Sequence, residues 1–373
     1  MLKRTGIIFC ALILLAGCTT TTKWPEEVIS SPPTASGNAD LTWEDPGFIH
    51  PPAAPQPAKS VAAAKTIPPR PDASKSAPSP SAKTWTALNH WTAQEKINAP
   101  QLRSTTPFTT YAVRSLNGEM LLGIGSHVAT WNGVELLLGF EPLLIDGEIF
   151  VHGLDLQKNL APLLCAPPLT FDGHRVIVID PGHGGSNSGT KSVLDGRLEK
   201  EFTLDWARRL VPLLQANGWQ VYLTRTNDAD VSLSNRVAFA EAHQADVFIS
   251  LHFNSAAPDT RQAGLETYCL TPTGMPSTVT RGYDDTVTQT FPDNYFDEQN
   301  LQLAERLHRS LLQATGEQDR GVRRARFLGV LRGQKRPAIL IEAGYLSNPD
   351  EAKRIEDPQF RQKLAAATAA ALQ

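Results

Sequence analysis

Residues 176–189 read VIVIDPGHGGSNSG: four β-branched aliphatic residues, an acid, a proline, and then a histidine set among glycines. A short apolar run bounded by Pro and Gly is the pattern of a buried strand that stops at a turn. From Arg175 onward such runs alternate with helical stretches: VIVID, FTLDWARRLVPLLQAN, QVYLTR, NRVAFAEAH and ADVFISLH. GLETYCL, a helix near residues 301–314, PAILIEAGY and a last helix reaching residue 372 follow. The alternation predicts an α/β fold over residues 174–373, with helices on both faces of a sheet. Pro212 falls inside the first helical stretch and is expected to kink it or shift its register. In such sheets ligands gather beyond the carboxyl ends of the strands, which is where His183 stands.

That turn could serve several chemistries. Gly182 and Gly184 begin like a dinucleotide-binding loop, but Asn187 stands where a third small residue is needed, and no Gly-Lys-Ser/Thr closes a phosphate loop. An isolated His183 would read as a satisfied turn residue. Two more polar residues end apolar strands, however: His252 in FISLHFN (248–254) and Glu342 in ILIEAGY (339–345). Three such side chains would project into one crevice, and imidazoles with a carboxylate suit zinc with one position left for water. LEKEF (198–202) supplies a further acid at a helix start. Spacing leaves Glu199 and Glu201 as equal candidates, since one can favour the positive helix end while the other faces a metal.

DPGHGG, the Glu-Lys-Glu triplet, SLHFN, RGVRR and IEAGYLSN, in that order, resemble the zinc-dependent N-acetylmuramoyl-L-alanine amidases of the cell-division type, the amidase 3 family. The resemblance runs from about Arg175 to the last residue. It implies a mixed twisted sheet flanked by helices, zinc ligands at His183, Glu199 and His252, and a catalytic glutamate at Glu342. The preference for Glu199 over Glu201 thus comes from the family. The implied substrate is peptidoglycan, cut between the lactyl group of muramic acid and the L-alanine of the stem. Another zinc-dependent wall hydrolase, a peptidase or deacetylase, would use the same triad on a different bond. A non-catalytic wall-binding lipoprotein is the third reading, against which the four intact residues argue. Several division amidases carry a helical insertion that blocks the zinc until an activator removes it. Here TPTGMPSTVTRGYDDTVTQTFPDNYFDEQN (271–300) is shorter, rich in Thr, Pro and Asp, and reads as a loop. The motifs identify no activator protein.

The N-terminal half reads differently. MLKRTGIIFCALILLAGC (1–18) has a basic start, an apolar core too short to span a bilayer, and a Leu-Ala-Gly-Cys close that resembles the lipobox of bacterial lipoproteins. Cys18 would be lipidated, and with no aspartate after it the expectation is a periplasmic protein anchored to the outer membrane. Residues 19–105 read as a disordered linker rich in Pro, Ala and Ser, as in PPAAPQPAKSVAAAKTIPPRPDASKSAPSPSAK (51–83), with little to bury against the entropy of ordering. Residues 106–168 read as a small β module, with Asn132-Gly133 and Asp146-Gly147 as hairpin signals. Its close, LLIDGEIFVHGLDLQKNLAPLL, resembles the short β domain beside some cell-wall hydrolases, related to the N-terminal domain of copper amine oxidases.

The formal net charge of -3 over 373 residues gives no basic excess of the kind that steers a protein onto nucleic acid. Arg323, Arg324, Arg326, Arg332, Lys335 and Arg336 form a basic run that reads as a solvated face or as a partner for stem-peptide carboxylates. His127 and His152 read as structural or surface residues, and His174, His243 and His308 have no ligand company. With Cys10 in the signal and Cys18 acylated, Cys165 and Cys269 are left to pair or to stay free.

Overall fold

The computed structural model of the chain describes residues 84–171, 174–280 and 285–373. The signal segment, Cys18 and the proline-rich run 51–83 lie outside the described residues. Among the described residues no helix is long and apolar enough to cross a membrane.

Structure begins earlier than residue 106. β1 (Trp85–Ala87), α1 (Leu88–Gln94) and β2 (Gln101–Ser104) all fall within the stretch read as linker. TWTALNHW (84–91) brings its own apolar side chains, and Leu88 and Trp91 are buried. The Pro/Ala/Ser composition ends at about residue 83, some twenty residues before the expected linker boundary at 105, and Trp85 and Trp91 mark the change.

The β strands that follow are β3 (Thr110–Arg114), β4 (Glu119–Gly123), β5 (Val128–Trp131), β6 (Val134–Leu137), β7 (Leu143–Ile145) and β8 (Glu148–His152). Asn132-Gly133 joins β5 to β6 and Asp146-Gly147 joins β7 to β8, all four residues at positive φ as two-residue hairpins require. β1, β8 and β7 form a three-stranded sheet. A helical run of α2 (Gly153–Asp155), one π turn (Leu156–Leu160) and α3 (Ala161–Leu164) leads on.

The remaining elements are β9 (Val176–Pro181), α4 (Glu199–Ala216), β10 (Gln220–Leu223), α5 (Leu233–Ala242), β11 (Val247–Asn254), β12 (Leu265–Cys269), α6 (Asp297–Thr315), β13 (Asp319–Arg324), α7 (Gly329–Arg332), β14 (Ala338–Tyr345), α8 (Pro349–Glu356) and α9 (Pro358–Ala370). Pro212 lies within α4 without ending it. Residues 271–291 carry no helix among the described residues, as expected of the loop. A 3-10 turn (Pro292–Phe296) and the start of α6 take up its last part.

β10, β9, β11 and β14 run parallel, β12 is antiparallel to β14, and β13 is parallel to β12. Strands β9, β11 and β14 are buried along their whole length, so apolar residues serve two faces. Ile177, Ile179, Ile249, Leu251, Ile339 and Ile341 pack with α4, α6 and α9. Val176, Val178, Phe248, Ala338 and Leu340 pack on the other side with residues of α5 and α7. The period-two alternation sets a further row on that second face: Asp180, Ser250, His252 and Glu342.

The β module is not a separate body. β13 pairs in parallel with β6 at Val322 and Leu136, so β6, β5, β4, β3 and β2 continue the sheet of β9 to β14 into one of 11 strands. The change of sequence character between 168 and 174 marks no break in the sheet, because composition cannot register a pairing between strands so distant along the chain. Asp319 ties this seam by accepting from the Glu135 and Gly321 N–H groups (both 2.8 Å) and bonding the His308 ring at 2.9 Å.

Burial opposes the Asp319 charge, but the His308 contact and the backbone donors outweigh it and hold its pKa below the ordinary carboxylate value. The stabilisation is fully present above the unfolded value of about 4 and is lost as pH falls through the lower folded one. Asp319→Ala should therefore cost roughly 2 kcal/mol in urea unfolding at pH 7, the scale of hydrogen bonds to a charged group. The gap from wild type should shrink as the pH is taken below about 4.

Candidate metal centre

β9 delivers the chain into a turn that few residues could make. His183 has φ 62, a left-handed conformation uncommon for a residue with a side chain, and is held there by buried arginines. Arg236 donates to the His183 carbonyl (2.8 Å) and Arg225 to the carbonyls of Pro181 and Gly182 (both 2.9 Å). Below them Asp180, fully buried, bonds Arg236, Thr224 and the Ser250 hydroxyl (2.7 Å). Burial pushes the Asp180 carboxyl up, yet Arg236 and the two hydroxyls prevail and keep it ionised below its usual range.

The turn, the first residue of α4 and the end of β11 meet. Glu199 Oε2 lies 3.0 Å from His183 Nε2, and its Oε1 lies 3.0 Å from His252 Nδ1. The candidate ligand atoms of the three buried residues all lie within 4.8 Å of one another. N–H groups of Thr190 and Phe253, each at 3.0 Å, fix the two carboxylate oxygens. Burial alone would raise the Glu199 carboxyl, but the two histidines hold it well below the ordinary value. Burial pushes the His252 ring down despite Glu199, which favours the neutral imidazole that a metal ligand must be. Glu201, by contrast, is exposed and turns back to the Leu198 N–H as a helix cap.

Space for this cluster depends on two glycines. A Cβ on Gly182 would lie 2.3 Å from His252 Cε1, and one on Gly189 would lie 2.5 Å from Glu199 Oε2 and 2.7 Å from His183 Cδ2. Two imidazole nitrogens and a carboxylate oxygen, buried and mutually close, fit the donor set of a hydrolytic zinc site.

Glu342 is the register partner of His252 across β11 and β14, and Glu266 on β12 is the partner of Glu342 on the other side. The three therefore stand in a row on one face. Glu266 was missed by sequence reasoning, although a lone acid in the apolar run GLETYCL was a signal. It accepts from Arg320 and the Tyr268 hydroxyl (2.7 Å each), Tyr345 (3.0 Å) and Asn254 (3.1 Å). Burial opposes its ionisation, and Arg323 with Arg320 overcomes it. Arg225 and Arg236, in QVYLTR and NRVAFAEAH, were likewise passed over because nothing in the sequence joins them to Asp180.

The basic run is not a solvated face. Arg324, Arg326 and Arg336 are buried; Arg324 bonds the Lys158 carbonyl and Asn159, and Arg326 pairs with Asp285 of the 271–300 loop. Only Lys335 of the run is well exposed, beside Glu241. His308 is a buried link between Thr267 and Asp319, and His152 caps Leu154. Cys165 and Cys269 are both free thiols. A cavity of about 430 Å³ opens over His183 and His252, lined also by Asp230, Ser232, Leu233 and Val330. A second cavity of about 570 Å³, near the start of β9 and lined by Arg175, Arg306 and Arg309, includes none of the four candidate residues.

Comparison with known proteins agrees in position with these motifs. The family model described as N-acetylmuramoyl-L-alanine amidase matches residues 177–373. N-acetylmuramoyl-L-alanine amidase LytC of Bacillus subtilis (strain 168) is 35% identical over 194 residues, which are 51% of this chain and 33% of that protein. N-acetylmuramoyl-L-alanine amidase AmiC of Escherichia coli O6:H1 is 32% identical over 252 residues, 60% of this chain and 59% of the relative. The chain thus spans from a third to three-fifths of the length of these two curated relatives. The solved N-acetylmuramoyl-L-alanine amidase AmiC2 of Nostoc punctiforme is 32% identical, covering 54% of this chain and 97% of that one with a TM-score of 0.44. With the match extending over more than half of its residues, the chain belongs to the N-acetylmuramoyl-L-alanine amidase family.

Proposed function

We propose that the protein is a zinc-dependent peptidoglycan amidase that hydrolyses the bond between the lactyl group of N-acetylmuramic acid and the L-alanine of the stem peptide. The observation that carries this reading is the buried cluster of His183, Glu199 and His252, beside Glu342, inside the segment that defines the family. His183, Glu199 and His252 would hold the zinc. Bound there, zinc supplies a Lewis acid that lowers the pKa of water toward neutrality and polarises a carbonyl. Glu342 accepts the proton of the attacking water and returns it to the departing nitrogen of L-alanine, the transfer an amide needs because its amine leaves poorly unprotonated. The turn carbonyls held by Arg225 and Arg236 keep His183 from relaxing out of its left-handed conformation, and Glu266, neutralised by its own arginines, stands beside Glu342 without an uncompensated charge.

The proposal extends to the cell. Lipidation at Cys18 would anchor the protein to the outer membrane, with the catalytic segment in the periplasm and a proline-rich spacer between the anchor and Trp85. The support is the basic start, the short apolar core and the Leu-Ala-Gly-Cys sequence.

Purified protein incubated with peptidoglycan, with zinc and then with chelator, should release stem peptides beginning at L-alanine only when metal is present. Mass spectrometry separates this from cleavage within the stem, which would make it a peptidase, and from loss of acetyl groups, which would make it a deacetylase. Glu342→Gln should retain zinc measured by elemental analysis while losing about 10²- to 10⁴-fold in rate, the usual contribution of a general base. A variant as active as wild type would remove Glu342 from the mechanism.

A further inference from the structure

The side chain of Asn187 folds back onto the histidine that opens its own turn. Gly184 N–H donates to the Asn187 carbonyl (2.8 Å) and Asn187 N–H donates to the Gly184 carbonyl (3.1 Å), so the two residues close a tight loop. Within it Asn187 Oδ1 lies 2.7 Å from His183 Nδ1 and 3.3 Å from Gly189 N. An asparagine amide can face a partner with either its oxygen or its nitrogen, and the partner decides which. Gly189 N–H can only donate, so the atom between it and the ring is the oxygen. An oxygen can only accept, so the proton in the Asn187–His183 bond belongs to His183 Nδ1. The ring's other nitrogen, Nε2, is the one that faces Glu199.

We propose that Asn187 is a positioning residue that fixes His183 in its Nδ1–H form, directing the Nε2 lone pair into the metal cluster. The amide also sets the strength of the site. A neutral acceptor orients the ring without adding the negative charge that a carboxylate would lend it, and outer hydrogen-bond partners of ligand histidines commonly change metal affinity 10- to 100-fold. The inference rests on the zinc reading above, and the two fail separately: wild type that takes up no zinc refutes the reading, whereas zinc binding indifferent to Asn187 refutes the inference.

The test compares wild type, Asn187→Leu and Asn187→Asp, each checked for fold by circular dichroism, with zinc affinity measured by chelator competition. Asn187→Leu, close in size and unable to accept, should bind zinc roughly 10- to 100-fold more weakly. Asn187→Asp keeps the acceptor and should bind at least as tightly as wild type. In the zinc-loaded wild type, nitrogen-15 NMR should find a His183 Nδ1–H protected from exchange with water, a signal kept in Asn187→Asp and lost in Asn187→Leu. Equal zinc affinity and an unchanged ring signal in Asn187→Leu would overturn the proposal. Should Asn187→Leu fail to fold, weaker zinc binding by Asn187→Asp, or a wild-type ring protonated only at Nε2, would overturn it equally.

Discussion

Asp180, near the end of β9, and Arg236, on α5, form an ion pair that neither could sustain alone, since both are buried. An unpaired charge in that position would be severely penalised, so the two are bound to stay together. Their partnership has consequences beyond charge balance. With one nitrogen on Asp180, Arg236 still reaches the carbonyls of Pro181 and His183, and this turns a polypeptide bend into a rigid mount. Thr224, Ser250 and Arg225 complete the support from β11 and the segment after β10. The histidine is thereby specified by contacts that do not touch its ring.

A second constraint is the pleat. Because residues two apart share a face, the same alternation that hides Val178 and Phe248 against α5 and α7 brings Asp180, Ser250, His252, Glu342 and Glu266 to one surface. Structural and chemical residues occupy successive positions in the same rows. Glu199 reaches this surface from another direction, at the first residue of α4, where Thr190 and Phe253 N–H groups take its oxygens.

What could be read in the sequence follows from how local each signal is. VIVID, FISLHFN and ILIEAGY declare buried strands because the apolar run is contiguous, and their terminal His183, His252 and Glu342 stand out by contrast. Asn132-Gly133 and Asp146-Gly147 declare hairpins because two residues determine the turn. Glu199 and Glu201 differ only in which way a helix start is rotated, and spacing could not express that. The arginines of 323–336 looked like a solvated cluster because charge is counted along the chain, while their partners, Lys158, Asn159 and Asp285, come from distant segments. The continuity of the module with the sheet of β9 to β14 is invisible for the same reason.

That continuity also governs the order in which the molecule can form. The hydrogen bond from Glu135 to Asp319 spans 184 residues, so the seam between β6 and β13 closes a very long loop. During synthesis from the N-terminus, β6 is made long before its partner exists, and its outer backbone groups have nothing in the sheet to pair with until β13 arrives. Such non-local pairing slows folding, and an open edge in the interval is a template for strands of other chains. For this architecture, the hairpins of residues 110–137 are early local structure waiting on a late arrival, and the interval between them is when the chain is most exposed to wrong partners.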